Sequence, residues 1–150
     1  MIGLIQRVSS AEVRVDAEVV GAISRGVLAF IAVRHHDTET EAQRLLERLL
    51  SYRIFADAEG RMNLSVREVG GGLLLVPQFT LAADTNKGTR AGFSRAAEPE
   101  QARRLFGYLL DQARGSYPHV SAGVFGAHMQ VSLTNDGPVT FWLEAGPSGA

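Results

Sequence analysis

The chain has 150 residues, a length typical of one domain, and 45% of them are hydrophobic, so a core can form without a structural metal. It contains no cysteine, which excludes disulfides, thiolate metal sites and cysteine nucleophiles. Its net charge of −1 argues against a protein that holds nucleic acid mainly through phosphate charge, so any RNA partner must be bound locally.

The N-terminal third of the chain predicts strands followed by a helix. Residues 11–21 alternate apolar and polar side chains on either side of a two-residue turn, the pattern of a β-hairpin. Residues 26–33, GVLAFIAV, are apolar throughout, which favours a strand buried on both faces. Residues 37–55 have helical periodicity and begin with the capping-box pair Thr38 and Glu41.

The rest of the chain predicts one more helix and three strands. Residues 70–81 predict a glycine turn and a buried strand, and residues 98–115 predict a helix with Pro99 in its first turn. Two strands are expected at 127–134 and 139–144. This order predicts an α+β fold with antiparallel hairpins and two helices packed on one face.

No repeat, linker or break in composition divides the sequence, so we expect one domain over residues 1–150 with a disordered tail at 146–150. The first residues lack the pattern of a secretory signal, and no apolar run has the length of a membrane span. We therefore expect a cytoplasmic protein without a membrane partner.

Conventional catalytic patterns are not recognisable in this chain. The four histidines are His35, His36, His119 and His128, and no two of them have a spacing typical of zinc ligands. The sequence also lacks a nucleophile elbow, a phosphate-binding glycine loop and a dinucleotide fingerprint. We expect neither a metal nor a cofactor.

Two longer motifs point to a known family. Residues 77–94, PQFTLAADTNKGTRAGFS, and residues 125–142, FGAHMQVSLTNDGPVTFW, resemble the D-aminoacyl-tRNA deacylase family, whose signatures run Ser-Gln-Phe-Thr and Asn-x-Gly-Pro-Val-Thr. The likeness extends over nearly the whole chain. It implies a barrel-like core of antiparallel and mixed sheets with two main helices outside, and a homodimer. It also implies hydrolysis of the ester between a D-amino acid and the 3′-terminal adenosine of tRNA.

The resemblance assigns substrate binding to Gly137 and Pro138. In the family the Gly-Pro peptide bond is cis, and its loop enters the active site of the partner subunit, where the carbonyl oxygens face the substrate. A rigid backbone there would accept many D-aminoacyl substrates and exclude the side chains of L-aminoacyl substrates. A glycyl substrate would also be accepted, because it has no side chain to clash. Glycine at 137 suits a close approach because it has no Cβ. The alternative is that the segment only turns the chain between two strands.

The other signature supplies the predicted catalytic residues Gln78, Phe79 and Thr80, expected at the end of a buried strand. The N–H groups of Phe79 and Thr80 would stabilise the oxyanion formed on the ester carbonyl. If Thr80 were a nucleophile, it would need a base to activate its hydroxyl, and none is evident in the sequence. We therefore expect the 2′-hydroxyl of the terminal ribose, which is bound beside the ester, to assist the reaction instead. The alternative places Phe79 and Leu81 in the core.

Four further positions match substrate-binding positions of the family. They are Arg7, Asn135, Phe125 and Met129. The resemblance implies that Arg7 braces the Gly-Pro loop by donating to its carbonyls, and Asn135 is expected to bind its own nearby backbone. Phe125 and Met129 are expected near the aminoacyl pocket. The alternatives are a surface charge for Arg7 and plain core roles for Phe125 and Met129.

Basic residues follow the first signature. Lys87, Arg90 and Arg95 lie in a segment without acidic residues, which makes them candidates for contact with acceptor-end phosphates or, alternatively, a solvated loop. Pro77 stands where the family has serine, so no role for that hydroxyl is expected. The missing N–H of Pro77 predicts a sheet edge or a bulge.

The predicted function is that of a hydrolase releasing D-amino acids from tRNA, with some activity on mischarged Gly-tRNA. The alternatives are a non-catalytic module that binds an RNA end or a protein, and a metal-dependent hydrolase. The missing ligand cluster argues against the last of these.

Overall fold

Strands are more abundant than helices in the computed structural model, which describes residues 1–146. Within these residues the strands are β1 (Ile2–Val15), β2 (Glu18–Ile23), β3 (Gly26–Ala32), β4 (Phe55–Ala56), β5 (Met62–Leu64), β6 (Gly72–Pro77), β7 (Val120–Ala122) and β8 (Gln130–Glu144). The helices are α1 (Glu39–Ser51), α2 (Val66–Val69) and α3 (Pro99–Ser116), and Phe79–Ala82 form a 3₁₀ turn.

The main sheet is mixed and curls toward closure. Its order is β2-β1-β3-β6-β7, and β8 lies off this path and pairs with β1 along most of its length. Strand β1 is antiparallel to β2, β3 and β8, whereas β6 is parallel to β3 and β7. The two ends of this order approach each other where the Ser121 hydroxyl of β7 donates to the Ala22 carbonyl of β2, at 3.2 Å. The predicted α+β fold with a barrel-like core is confirmed.

The sheet buries apolar side chains on both of its faces. The inner cluster consists of Val8, Ala11, Val13, Leu28, Leu74 and Val76. On the other face, Leu45 and Leu49 of α1 and Leu105 and Leu109 of α3 pack in one cluster with sheet residues such as Leu75. Both main helices therefore lie on one face, as predicted, and burial of their apolar stripes holds them there.

Helix α1 begins as predicted but ends earlier. The Thr38 side chain accepts from the Thr40 N–H at 3.2 Å, and the Glu41 carboxylate accepts from the Thr38 N–H at 2.7 Å. The helix stops at Ser51 rather than continuing to residue 55, because Tyr52 is extended and Phe55 pairs with another strand. Tertiary pairing therefore overrides the helical pattern at its end.

The two strands predicted at 127–134 and 139–144 form a single strand. Strand β8 begins at Gln130 and continues to Glu144, because both of its arms pair with β1. The interpretation of the Asn-Asp-Gly-Pro segment as a turn between strands is therefore wrong. Of the predicted disordered tail at 146–150, residues 147–150 lie outside the described part of the chain.

Candidate active site

Strand β6 ends at Pro77, and the chain then leaves the sheet. The Gln78 N–H donates to the Ile31 carbonyl at 2.7 Å, and the Leu81 N–H donates back to the Gln78 carbonyl at 3.3 Å. The sequence predicted that Gln78, Phe79 and Thr80 end the strand. This prediction is wrong, because the three residues form the entry to a 3₁₀ turn. Pro77 is the last residue of β6 paired with β3, and β7 has already ended beside it, which agrees with the predicted edge position.

The entry to the 3₁₀ turn faces outward. The Phe79 side chain is 60% exposed and contacts the Phe93 ring at a centroid distance of 5.2 Å. The alternative that Phe79 is a core residue is therefore wrong. The Gln78 amide nitrogen donates to the Thr80 hydroxyl, which orients both side chains.

Two backbone N–H groups at this turn are available to a ligand. A helical turn leaves its first N–H groups without internal partners. Within residues 1–146, the N–H groups of Phe79 and Thr80 donate to no protein acceptor. Adjacent free donors of this kind suit an oxygen that acquires negative charge during acyl transfer.

A cavity of about 440 Å³ opens beside the turn. Its wall combines the predicted residues Gln78, Phe79, Phe125 and Met129 with apolar residues of the sheet and of α3. The size and the mostly apolar lining with few polar groups are typical of small-molecule sites.

Phe125 and Met129 line the cavity and also pack against the core clusters, and a role of either toward the aminoacyl group stays a prediction. The Phe125 ring lies 6.3 Å from the Phe106 ring of α3 and packs against the core. The Met129 sulfur accepts from the Val124 N–H at 3.4 Å and borders the inner cluster. Each side chain lines the cavity while its other side is held by apolar contacts, which fixes the shape of the wall.

The second signature forms a bulge in β8. Gln6 pairs with Thr140 and Val8 pairs with Asn135, so the four residues 136–139 stand opposite Arg7 alone. We call residues 136–139 the Gly-Pro bulge. The Gly137-Pro138 peptide bond is cis, and Gly137 has a φ of 146°, a conformation that L side chains rarely adopt.

Arg7 and Asn135 hold the Gly-Pro bulge. Arg7 Nε donates to the Asp136 carbonyl at 2.9 Å, and Arg7 Nη1 donates to the Ile54 carbonyl at 2.8 Å. The Asn135 amide binds Val139 twice, accepting from its N–H at 2.7 Å and donating to its carbonyl at 3.2 Å. The contacts expected of Arg7 and Asn135 are therefore present, and a role of these two residues toward substrate stays a prediction.

The structure gathers the predicted residues into separate groups. Gln78, Phe79, Phe125 and Met129 border the cavity, and Thr80 is bonded to Gln78. Gly137 and Pro138 belong to the Gly-Pro bulge, Arg7 and Asn135 hold it, and all four are absent from the cavity lining. Lys87 and Arg90 are exposed on the loop after the 3₁₀ turn, whereas half-buried Arg95 faces Asp84 at 4.0 Å.

Sequence reasoning missed three residues around the cavity. His128 lines it, the Phe93 ring contacts the Phe79 ring in a tilted arrangement, and Arg103 of α3 places its guanidinium carbon 4.8 Å from the centre of the Phe125 ring. Arg103 follows buried Ala102 on α3. This position indicates a place beside the cavity only once the packing of α3 is known.

Metal-ligand clusters and membrane-spanning helices are both absent from the described chain. Within residues 1–146, no three or more His, Asp or Glu side chains are grouped as metal ligands would be. No helix in the same range is long and apolar enough to cross a bilayer.

Comparison with known proteins agrees with the two signatures. Residues 4–144 match the family model of D-Tyr-tRNA(Tyr) deacylase. A D-aminoacyl-tRNA deacylase of Thioalkalivibrio sulfidiphilus is 63% identical over 147 residues, covering 98% of this chain and 99% of that protein. The protein of the same name from Alkalilimnicola ehrlichii is 64% identical, with complete coverage of both chains.

The fold also has a solved counterpart. The structure of a c-Myc DNA Unwinding Element Binding Protein superposes with a TM-score of 0.94 at 36% identity. The match covers 98% of this chain and 100% of that chain. The overall architecture of this chain is therefore one that a solved structure shares.

Proposed function

Because the chain belongs to the D-Tyr-tRNA(Tyr) deacylase family and is a D-aminoacyl-tRNA deacylase, we propose that it acts as a homodimer in the cytoplasm. In this proposal each active site combines the cavity wall of one subunit with the Gly-Pro bulge of its partner. The bulge selects D-aminoacyl esters by shape and also admits glycyl esters.

The separation of the two predicted groups is the observation that carries the shared site. Gln78 and Phe79 border the cavity, whereas Gly137 and Pro138 lie outside its lining. A second copy of the chain is the simplest means of bringing a bulge to each cavity, and a two-fold dimer does so twice.

Exposed aromatic residues support such a dimer. Phe141 and Trp142 closely follow the Gly-Pro bulge on β8, and they are 37% and 48% exposed. The two side chains point to opposite faces of the strand, Phe141 toward Tyr52 and Trp142 toward Leu81. Large exposed aromatic side chains are typical of association surfaces. A partner that covers them would meet the Gly-Pro bulge beside them.

Selection by backbone explains a broad substrate range. Carbonyl oxygens of the bulge accept hydrogen bonds from the substrate α-ammonium, and a side chain on the L side of the α-carbon meets rigid backbone. The ties from Arg7 and Asn135 supply this rigidity. Glycine has no side chain to exclude, so glycyl-tRNA is accepted.

The chemistry is ester hydrolysis. Water adds to the ester carbonyl, the free N–H groups of Phe79 and Thr80 bind the resulting oxyanion, and the bond to the ribose oxygen breaks. The ribose oxygen takes a proton, giving free tRNA and a D-amino acid. The adjacent ribose 2′-hydroxyl assists, since the Thr80 hydroxyl is engaged by Gln78 and has no basic partner among residues 1–146.

The activity is tested with D- and L-tyrosyl-tRNA in the presence and absence of a chelator. We expect release of D-tyrosine only, unchanged by the chelator. Binding without release would favour the non-catalytic module, and loss of release on chelation would favour a metal-dependent hydrolase. Release of both enantiomers would contradict selection by the bulge.

The shared site is tested by subunit complementation. A heterodimer of a Gly137→Ala subunit and a Phe79→Ala subunit has one intact site and one doubly altered site. We expect each variant homodimer to be impaired and the heterodimer to recover about half of the wild-type activity. No recovery in purified heterodimers would place the whole site within one subunit.

The division of chemistry between protein and RNA is tested separately. We expect Thr80→Ala to retain turnover and tRNA with a 2′-deoxy terminal adenosine to lose it. If Thr80→Ala lost all turnover but still bound a substrate analogue normally, the Thr80 hydroxyl would take part in the chemical step. Full turnover of the deoxy substrate would exclude assistance by the 2′-hydroxyl.

A further inference from the structure

Arg103 is fixed at the rim of the cavity. It is exposed on α3, and its guanidinium lies over the ring of Phe125, 4.8 Å from the ring centre. Phe125 is itself held by Phe106 and lines the cavity. A guanidinium over an aromatic face is attracted by the ring, so Arg103 is restrained although it is exposed.

Gly126 makes room for this arrangement. A Cβ at position 126 would lie 3.2 Å from Arg103 Nη2, and the φ of Gly126 is 80°. The guanidinium therefore lies beside backbone at a point where the residue has no side chain. Phe125 and Gly126 both belong to the cavity wall, so the charge is located at its opening.

The hydrogen-bond donors of Arg103 have no protein acceptor. Within residues 1–146, Arg103 makes no hydrogen bond and no ion pair, and its one described side-chain interaction is with Phe125. The next residue, Arg104, pairs with Glu39 at 3.6 Å. A restrained guanidinium with free donors suits an anion that can accept two parallel hydrogen bonds.

We propose that Arg103 binds the phosphate on the 5′ side of the terminal adenosine of the substrate tRNA. This inference rests on the proposed function, which sets the ester carbonyl at Phe79. From that carbonyl the substrate extends through its terminal ribose along the cavity wall, and the next charged group is this phosphate. Arg103 is thus a positioning residue that fixes the ribose relative to the free N–H groups.

The test measures affinity rather than turnover. The probes are D-tyrosyl-adenosine with a 3′-amide link, which resists hydrolysis, and the same compound with a 5′-phosphate. We expect the phosphate to raise the affinity of the wild-type protein about tenfold, the size of one charge-assisted contact. Arg103→Gln removes the guanidinium but keeps a polar side chain, so it should abolish this gain in affinity and leave the affinity for the unphosphorylated probe unchanged.

Arg104→Ala is the matched control, since it removes a neighbouring guanidinium on the same helix and should preserve the gain. Equal weakening of both probes by Arg103→Gln would mean that Arg103 only supports Phe125, and it would overturn the proposal. Equal affinity of the wild-type protein for the two probes would also overturn the proposal. Failure of the proposed function is a different result, namely no release of D-tyrosine from D-tyrosyl-tRNA.

Discussion

In the Gly-Pro bulge, exposed backbone is held by hydrogen bonds from Arg7 and Asn135, whereas the cavity wall is held by contacts among apolar and aromatic side chains. The ties to the bulge are few, so its shape depends on individual residues. The wall is supported by several packed neighbours around Phe125 and Met129. We therefore expect the Gly-Pro bulge to be more sensitive to single substitutions than the cavity wall.

The largest effect is expected from Gly137→Ala. The new Cβ would lie 2.8 Å from Val139 Cγ2 and 3.1 Å from Arg7 Nη2, at a φ of 146°. We expect a loss of about 1–3 kcal/mol in stability and a roughly tenfold to hundredfold fall in kcat/KM for D-tyrosyl-tRNA. Thermal unfolding and deacylation assays measure the two.

Gly60→Ala is the matched control for this substitution. Gly60 also has a positive φ, 79°, but a Cβ at this position would have no neighbour within 4 Å, and the residue lies on the remote β4–β5 turn. The substitution should lower stability and leave kcat/KM unchanged. If Gly137→Ala behaved like this control, the bulge would have no part in the site.

A smaller effect is expected on the cavity wall from Phe79→Ala. The side chain is 60% exposed, so the free energy of unfolding should change by no more than about 0.5 kcal/mol. We expect kcat/KM for D-tyrosyl-tRNA to fall about tenfold, mainly through KM. Met62→Ala, at a remote position 42% exposed, should change neither quantity. If Phe79→Ala greatly lowered stability and left KM unchanged, Phe79 would have a purely structural role.

Outside both regions, the loop after the 3₁₀ turn should act through charge. We expect replacement of Lys87 and Arg90 by alanine to raise KM and to reduce the slope of log KM against log salt by about one unit for each phosphate that the loop no longer binds. Arg95→Ala should have less effect because Arg95 faces Asp84 at 4.0 Å. If a variant with Lys87, Arg90 and Arg95 all replaced by alanine kept the KM and the salt dependence of the wild-type protein, phosphate binding by this loop would be excluded.

The smallest effect is expected at the start of α1, whose capping residues lie outside the cavity lining and the Gly-Pro bulge. Hydrogen bonds from the Thr38 hydroxyl and N–H hold the pKa of Glu41 below its ordinary value. A lowered folded-state pKa gives stability that is present above the ordinary glutamate pKa and is lost as pH falls through the lowered one. Glu41→Gln should therefore flatten the acid limb of stability against pH slightly, without changing kcat/KM.

Glu47→Gln is the matched control, because Glu47 lies on the same helix outside the capping box. Urea unfolding at several pH values measures the difference. An acid limb equally flattened by both variants would mean that the capping hydrogen bonds of Glu41 do not contribute.

Local patterns were sufficient wherever one element is specified by its own residues. The hairpin of β1 and β2, the capping box of Thr38 and Glu41, and Pro99 in the first turn of α3 were all predicted from short stretches. Helix α2 was missed although Ser65 and Glu68 form a second capping box, because four residues carry too little periodicity.

The amino-acid sequence by itself determined the family signatures, the α+β class and the candidate residues that lie within those signatures, because these depend on residue type and near-neighbour spacing. Only the tertiary structure decided that β8 continues through the Gly-Pro bulge, that Gln78 leaves the sheet, and that Arg103 lies over Phe125. Each of these depends on contacts between distant parts of the chain. The pairing of Val8 with Asn135 is an example, because no local pattern encodes which strand will lie alongside.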